Sequence, residues 1–198
     1  MNPPKIAIII ILFMVIIVIG HFRCWAQEIK SETLCDIINK ESVLTIHQWD
    51  VDDRKILCIV TSHSKKIDNE AIPFERLSFY EKTTDSLTKI DSVDEMGFSG
   101  IYPLYDGNLM SIWAGGSAYH VKVFSAVDKG KIKVVLEEGV KSMPEVADRD
   151  NDGIPEILFS SGSTFSKNSR TIEPESTKIY RWENNAYKLI KTVPWKSR

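Results

Sequence analysis

The sequence predicts an all-β fold built from about three similar units. Beyond residue 42, short runs rich in β-branched and aromatic residues alternate with Asp-Asn, Asp-Gly and Lys-Gly turns, which is typical of antiparallel strands. A pattern of apolar strand, small residues, aromatic strand and turn then recurs three times between residues 43 and 195. These two observations indicate an all-β protein with an internal repeat.

The first 26 residues have the pattern of an export signal. A short basic start precedes fourteen apolar residues, 6–19, and a small-x-small cleavage pattern follows at residues 24–26. Fourteen residues fall short of the roughly twenty that a membrane span needs. We predict a signal peptide over residues 1–26 and a mature start at Gln27, with an uncleaved N-terminal anchor as the alternative. Either way the chain is exported to the periplasm, the cell surface or the medium, and it contacts a membrane only if the anchor is retained.

The remaining 172 residues have the composition of one folded, acidic domain. They carry 23 basic and 27 acidic residues, a formal charge of −4, so no basic patch suits nucleic acid. Hydrophobic residues make up 43% of the whole chain, which argues against disorder. An N-terminal segment, residues 27–42, contains apolar residues on one face of a short helix predicted over residues 31–40. The β domain then spans residues 43–198.

The predicted export determines how the cysteines are interpreted. Removal of the signal leaves two of them, Cys35 and Cys58. Two thiols in an oxidising compartment predict one disulfide, which would join the N-terminal segment to the first strand pair. Two buried free thiols are the alternative.

The three units share an acidic turn at the start and an aromatic position further on. The aromatic positions are Phe79, Phe124 and Tyr180, separated by 45 and 56 residues. A period near fifty is that of the four-stranded blades of β-propellers. We therefore predict a partial or small β-propeller-like array of about three blade-like repeats. The acidic turns lie at residues 50–53, 106–108 and 148–156.

Three blades leave a question of closure, because an open array exposes the edges of its sheets. The array can remain partial or distorted, recruit the N-terminal segment, or pack as a sandwich. Two chains can also complete one ring, which makes a homodimer one of the predicted assemblies.

The third acidic turn is the most chemically specific stretch of the chain. Asp148, Asp150 and Asp152 stand at alternate positions, Gly153 follows them, and Glu156 returns an acid before an apolar strand. Three carboxylates so close together repel one another, and calcium relieves that repulsion by taking six to eight oxygens. We predict one structural Ca²⁺ held by five residues: Asp148, Asp150, Asp152, the backbone carbonyl of Ile154, and Glu156. A metal-free acidic turn is the alternative.

The loop begins like an EF-hand but departs from one at its end. An EF-hand places a bidentate Glu at loop position 12, where this sequence has Phe159, and it needs flanking helices. A calcium loop followed directly by a strand instead resembles the FG-GAP and VCBS-type repeats of β-propeller proteins. Their motif has Asp at the position of Glu156, so the resemblance is closest at the three aspartates and Gly153. It implies a calcium site in a propeller-like repeat protein.

No familiar catalytic signature occurs in the sequence: Gly-x-Ser-x-Gly, His-Glu-x-x-His and a phosphate-binding glycine loop are missing. We expect an exported, calcium-stabilised module that binds a protein or a glycan at the cell envelope without catalysis. A periplasmic or surface hydrolase with an unrecognised carboxylate site is one alternative. A structural subdomain of an envelope assembly is the other.

Overall fold

The computed structural model describes residues 34, 37–38, 42–67, 69–84, 87–127, 131–161, 164–165, 172–173 and 175–194. Most of these residues belong to β-strands, so the predicted all-β class is confirmed. The strands are β1 (Ser42–Val51), β2 (Arg54–Ile67), β3 (Glu70–Lys82), β4 (Leu87–Glu95), β5 (Phe98–Pro103), β6 (Leu109–Gly115), β7 (Ala118–Val127), β8 (Lys131–Val140), β9 (Glu145–Ala147), β10 (Glu156–Ser161), β11 (Thr164–Phe165), β12 (Ile172–Glu173), β13 (Ser176–Glu183) and β14 (Ala186–Pro194).

The strands form three consecutive four-stranded antiparallel sheets. Sheet A has the order β1-β2-β3-β4, sheet B the order β5-β6-β7-β8, and sheet C the order β9-β10-β13-β14. The short pair β11-β12 lies between β10 and β13 in the chain and forms a separate two-stranded sheet. Sheets A and B are thus meanders of chain neighbours, sheet C is a meander interrupted by the β11-β12 pair, and none of the three closes on itself.

The same irregularity marks the contact between the last two strands of each sheet. The register shifts between Phe79 and Tyr80 in sheet A, between Val123 and Phe124 in sheet B, and between Ile179 and Tyr180 in sheet C. An extra residue on the fourth strand forms each bulge.

These bulges align Tyr80, Phe124 and Tyr180 as the equivalent aromatic positions. The predicted trio therefore lies on the third strand of each sheet, but Phe79 is one residue too early. Because side chains alternate along a strand, Phe79 faces the opposite side of its sheet from Tyr80.

The hydrophobic core consists of two layers, one on each side of sheet B. Leu109 and Trp113 face sheet A, whereas Met110 and Ile112 face sheet C. Residues 109–113 are all buried, as expected for a strand covered on both faces. Phe79 meets Phe124 edge-on across the first layer, with ring centroids 5.0 Å apart.

The outer face of sheet A is covered by part of the N-terminal segment. Leu34, Ile37 and Ile38 are helical, and Leu34 and Ile37 pack against a cluster that contains Leu57 and Ile59. The rest of the predicted helix, the signal peptide and the mature start lie outside the described residues. Among the residues that are described, no helix has the length and apolarity to cross a membrane.

Cys58 is a free thiol buried in the layer between sheets A and B, which contradicts the predicted disulfide. Its side chain faces sheet B, whereas Leu34 packs on the opposite face of sheet A, against Leu57 and Ile59. Burial raises the pKa of the Cys58 thiol well above its ordinary value. Cys35 lies outside the described residues.

The three acidic turns each connect the first and second strands of a sheet, as the repeat predicts. Each contains a residue with a left-handed backbone: Asp52 (φ 51°), Asp106 (φ 56°) and Asn151 (φ 61°). The middle turn is held by the two flanking sheets. Trp49 of sheet A donates its indole N–H to the carbonyl of Gly107 (2.9 Å), and Trp182 of sheet C donates to Asp106 Oδ2 (2.5 Å).

Candidate metal centre

The third acidic turn is a loop closed by the pairing of β9 with β10. Ala147 pairs with Glu156, and Val146 pairs with Ile157, so residues 148–155 form the loop between them. Gly153 has φ 87°, a conformation that residues with a Cβ rarely adopt. The left-handed residue two positions earlier, Asn151, completes the tight path of the chain. The loop geometry therefore follows from Asn and Gly at the positions that need them.

The aspartate side chains fold back onto backbone N–H groups of the same loop. Asp148 accepts hydrogen bonds from the N–H of Asp152 (3.2 Å) and from that of Gly153 (2.9 Å). Asp150 accepts from the N–H of Asp152 (3.3 Å), and Asp152 accepts from that of Ile154 (2.9 Å). Such bonds are common when Asp occupies a turn, and they hold the carboxylates on the inner side of the loop.

Glu156 is the buried member of the loop. Only 1% of its surface is exposed, and its Oε2 accepts a hydrogen bond from the backbone N–H of Arg149 (2.9 Å). Its Oε1 has no hydrogen-bond partner among the described residues. An unpartnered buried carboxylate oxygen is costly, so its presence at this position calls for a compensating group.

Three of the predicted ligands converge. Asp148, Asp150 and Glu156 each offer one carboxylate oxygen, and these oxygens lie within 4.8 Å of one another. No other group of three His, Cys, Asp or Glu residues in the described part of the chain has this geometry. A donor set made only of carboxylate oxygens suits a hard divalent cation such as Ca²⁺.

Asp152 lies outside this group, and the backbone carbonyl of Ile154 stays a predicted ligand. Asp152 forms an ion pair with Arg181 of β13 and does not join the convergent group. The side chain of Ile154 packs against the core between sheets B and C. The predicted five-residue ligand set thus contains a convergent group of three.

Arg181 was not singled out by the sequence, although it reaches the loop from a neighbouring strand. Its Nη1 lies 2.9 Å from Asp150 Oδ2 and its second terminal nitrogen pairs with Asp152. Tyr180 pairs with Ile157 across the sheet, which brings the next residue beside the end of the loop. The contact of Arg181 with the loop depends on the pairing of two strands that are distant in sequence, so no local motif predicts it.

A second pair of acids lies between sheets A and B. Glu95 and Glu137 both contact His120, at 3.2 and 2.9 Å, and Glu95 also contacts Lys122 at 2.5 Å. Glu95 and His120 line a cavity of about 310 Å³. Both carboxylates are engaged by side chains of β7. The contacts of Glu95 join sheet A to sheet B, whereas that of Glu137 lies within sheet B.

Comparison with known proteins finds no match for the chain among protein-family models, curated proteins or solved structures.

Proposed function

We propose that the chain is an exported, calcium-stabilised β-repeat module that acts by binding a protein or glycan partner. The observation that carries the calcium assignment is Glu156, whose buried Oε1 lacks a partner and whose carboxylate converges with those of Asp148 and Asp150. A calcium ion at this position supplies the charge and the coordination that all three oxygens need.

The role of the ion in this proposal is structural. The loop joins the first two strands of sheet C, and β9 is only three residues long. Calcium would cancel the repulsion among the carboxylates and fix the end of that short strand against β10. Because the carboxylates serve as ligands, they are not available as a catalytic acid and base, so we assign binding and not hydrolysis.

The proposed arrangement is that of three successive propeller-like blades. Its support is the repeated meander, the same bulge between the last two strands, and the acidic turn at the same place in every sheet. Export rests on the predicted signal in residues 1–26. The alternative, a structural subdomain of an envelope assembly, is compatible with the same fold. It differs from the proposal because such a subdomain would stay part of its assembly and would not bind and release a partner.

Thermal unfolding in calcium, magnesium and chelator tests the metal assignment. A hundredfold excess of calcium over Kd should stabilise the protein by about 2.7 kcal/mol. Magnesium should substitute poorly because it requires tighter octahedral geometry. Asp150→Ala removes one converging ligand, so the calcium-dependent rise in melting temperature should disappear.

Asp52→Ala is the matched control, since it removes an acid from the corresponding turn of sheet A. This variant should keep the full calcium-dependent rise. A wild-type melting temperature that is indifferent to calcium and chelator would return the loop to an ordinary acidic turn.

A further inference from the structure

Arg181 supplies a positive charge to the loop from outside it. Its guanidinium bridges Asp150 and Asp152, and only 20% of the Arg181 side chain is exposed. The other arginine nearby, Arg149, directs its guanidinium to Glu145 (3.3 Å) outside the loop. Of these two arginines, only Arg181 pairs its guanidinium with the loop carboxylates.

Arg181 contacts the carboxylates of two of the predicted calcium ligands, Asp150 and Asp152. Asp150 belongs to the convergent group, and the Oδ2 atom that Arg181 contacts is one of its two carboxylate oxygens. Both oxygens of Asp152 are engaged, one by the N–H of Ile154 and the other by Arg181. Asp152 can therefore turn toward a cation only if its pair with Arg181 opens.

We propose that Arg181 is a tethered cation that competes with calcium for Asp150 and Asp152 and thereby lowers the affinity of the loop for the ion. The inference rests on the proposed calcium site and adds how its affinity is set. Binding of calcium releases the guanidinium, and loss of calcium lets it return to the two carboxylates. The positive charge of the guanidinium, within a few ångströms of a divalent cation, also repels that cation directly.

Calorimetric titration of the full chain with calcium chloride tests the competition. Arg181→Gln removes the competing charge, so its Kd for calcium should be about tenfold lower than that of the wild type. Lys188→Gln is the control, because it changes the net charge by the same amount. Lys188 lies on β14 directly across from Arg181 in the sheet, and its side chain contacts Glu183 (3.6 Å). The Kd of this variant should stay within about twofold of the wild-type value.

The outcomes separate this inference from the site itself. Equal calcium affinity in the wild type and Arg181→Gln would overturn the competition and leave the site intact. An equal gain in Lys188→Gln would also overturn it, because net charge alone would then explain the effect. Absence of binding in all three proteins would overturn the site and the competition together.

A measurement on the wild-type protein avoids dependence on the variant's folding. Nitrogen-15 NMR of arginine side chains reports the guanidinium of Arg181 while calcium is added. Release from the two carboxylates should shift and sharpen its signals, whereas those of Arg54, which pairs with Glu81 (2.6 Å), should not change. An unchanged Arg181 signal at saturating calcium would contradict competition.

Discussion

Glu156→Gln should stabilise the protein when calcium is absent and destabilise it, relative to the wild type, when calcium is bound. In chelator the variant should be more stable than the wild type by about 1–3 kcal/mol, because a buried oxygen without a partner is replaced by an amide N–H₂. The carboxylates of Asp148 and Asp150, which converge with that of Glu156, are the acceptors we expect for this donor. The amide oxygen can still accept the hydrogen bond from the backbone of Arg149.

In saturating calcium the order should change. At a hundredfold excess of calcium over Kd, the unfolding free energy of the wild type rises by about 2.7 kcal/mol. The variant should lack most of this rise, because glutamine at this position carries no charge with which to bind the ion. Denaturant unfolding of both proteins in calcium and in chelator gives the four free energies needed.

Glu145→Gln provides the control for charge near the loop. Glu145 is exposed and pairs with the Arg149 side chain. Its replacement should therefore change the free energy of unfolding by a similar, small amount in calcium and in chelator. If Glu156→Gln were instead less stable by the same margin in calcium and in chelator, Glu156 would have a purely structural role.

Gly97→Ala should be among the most destabilising single-methyl changes in the chain, at about 3 kcal/mol or more. Gly97 lies in the link between sheets A and B and has φ 74°. A Cβ there would lie 1.9 Å from the carbonyl oxygen of Ala114, and backbone atoms cannot move aside as a flexible side chain can. The same link is held by hydrogen bonds to Ala114 (2.6 Å) and Glu75 (2.8 Å).

Gly116→Ala separates the clash from the backbone strain. Gly116 also has a positive φ, 60°, but no atom lies within 4 Å of the position its Cβ would take. It should cost only about 1 kcal/mol, the strain of a left-handed residue. Similar losses for the two variants in urea unfolding would show that the close approach to Ala114 is relieved at little cost.

The sequence predicted the all-β class, and the structure has three four-stranded sheets, but the sequence did not predict how positions in the three sheets correspond. Acidic turns and apolar strands are local signals, and they lie where they were expected. The match of Phe79 with Phe124 and Tyr180 was wrong by one residue because bulges set the equivalence. A bulge depends on how two strands pair, and neither strand alone encodes it.

The cysteine prediction failed for a related reason. The pairing of Cys58 with Cys35 was predicted because an oxidising compartment and only two remaining cysteines favour a disulfide. A disulfide also requires the two side chains to face each other. Cys58 faces sheet B, and Leu34 of the N-terminal segment packs on the other face of sheet A. Which face a residue of β2 presents to the N-terminal segment is a tertiary property.

The acidic loop of residues 148–155 was the most predictable part of the candidate site, and the contacts that surround it were the least predictable. Asp148, Asp150 and Glu156 converge as the spacing indicates, because the ligands of one loop are local in sequence. Arg181 is far along the chain and reaches the loop only through the pairing of β10 with β13. Its contact with Asp152 is what distinguishes the observed arrangement from the predicted ligand set.

Anomalous X-ray diffraction from crystals grown in calcium tests the calcium assignment most directly. The account predicts one anomalous peak per chain in this loop, about 2.3–2.6 Å from carboxylate oxygens of Asp148, Asp150 and Glu156. Crystals of Asp150→Ala grown in the same solution should lack that peak. Wild-type crystals in saturating calcium with no anomalous density among these three side chains would contradict the assignment.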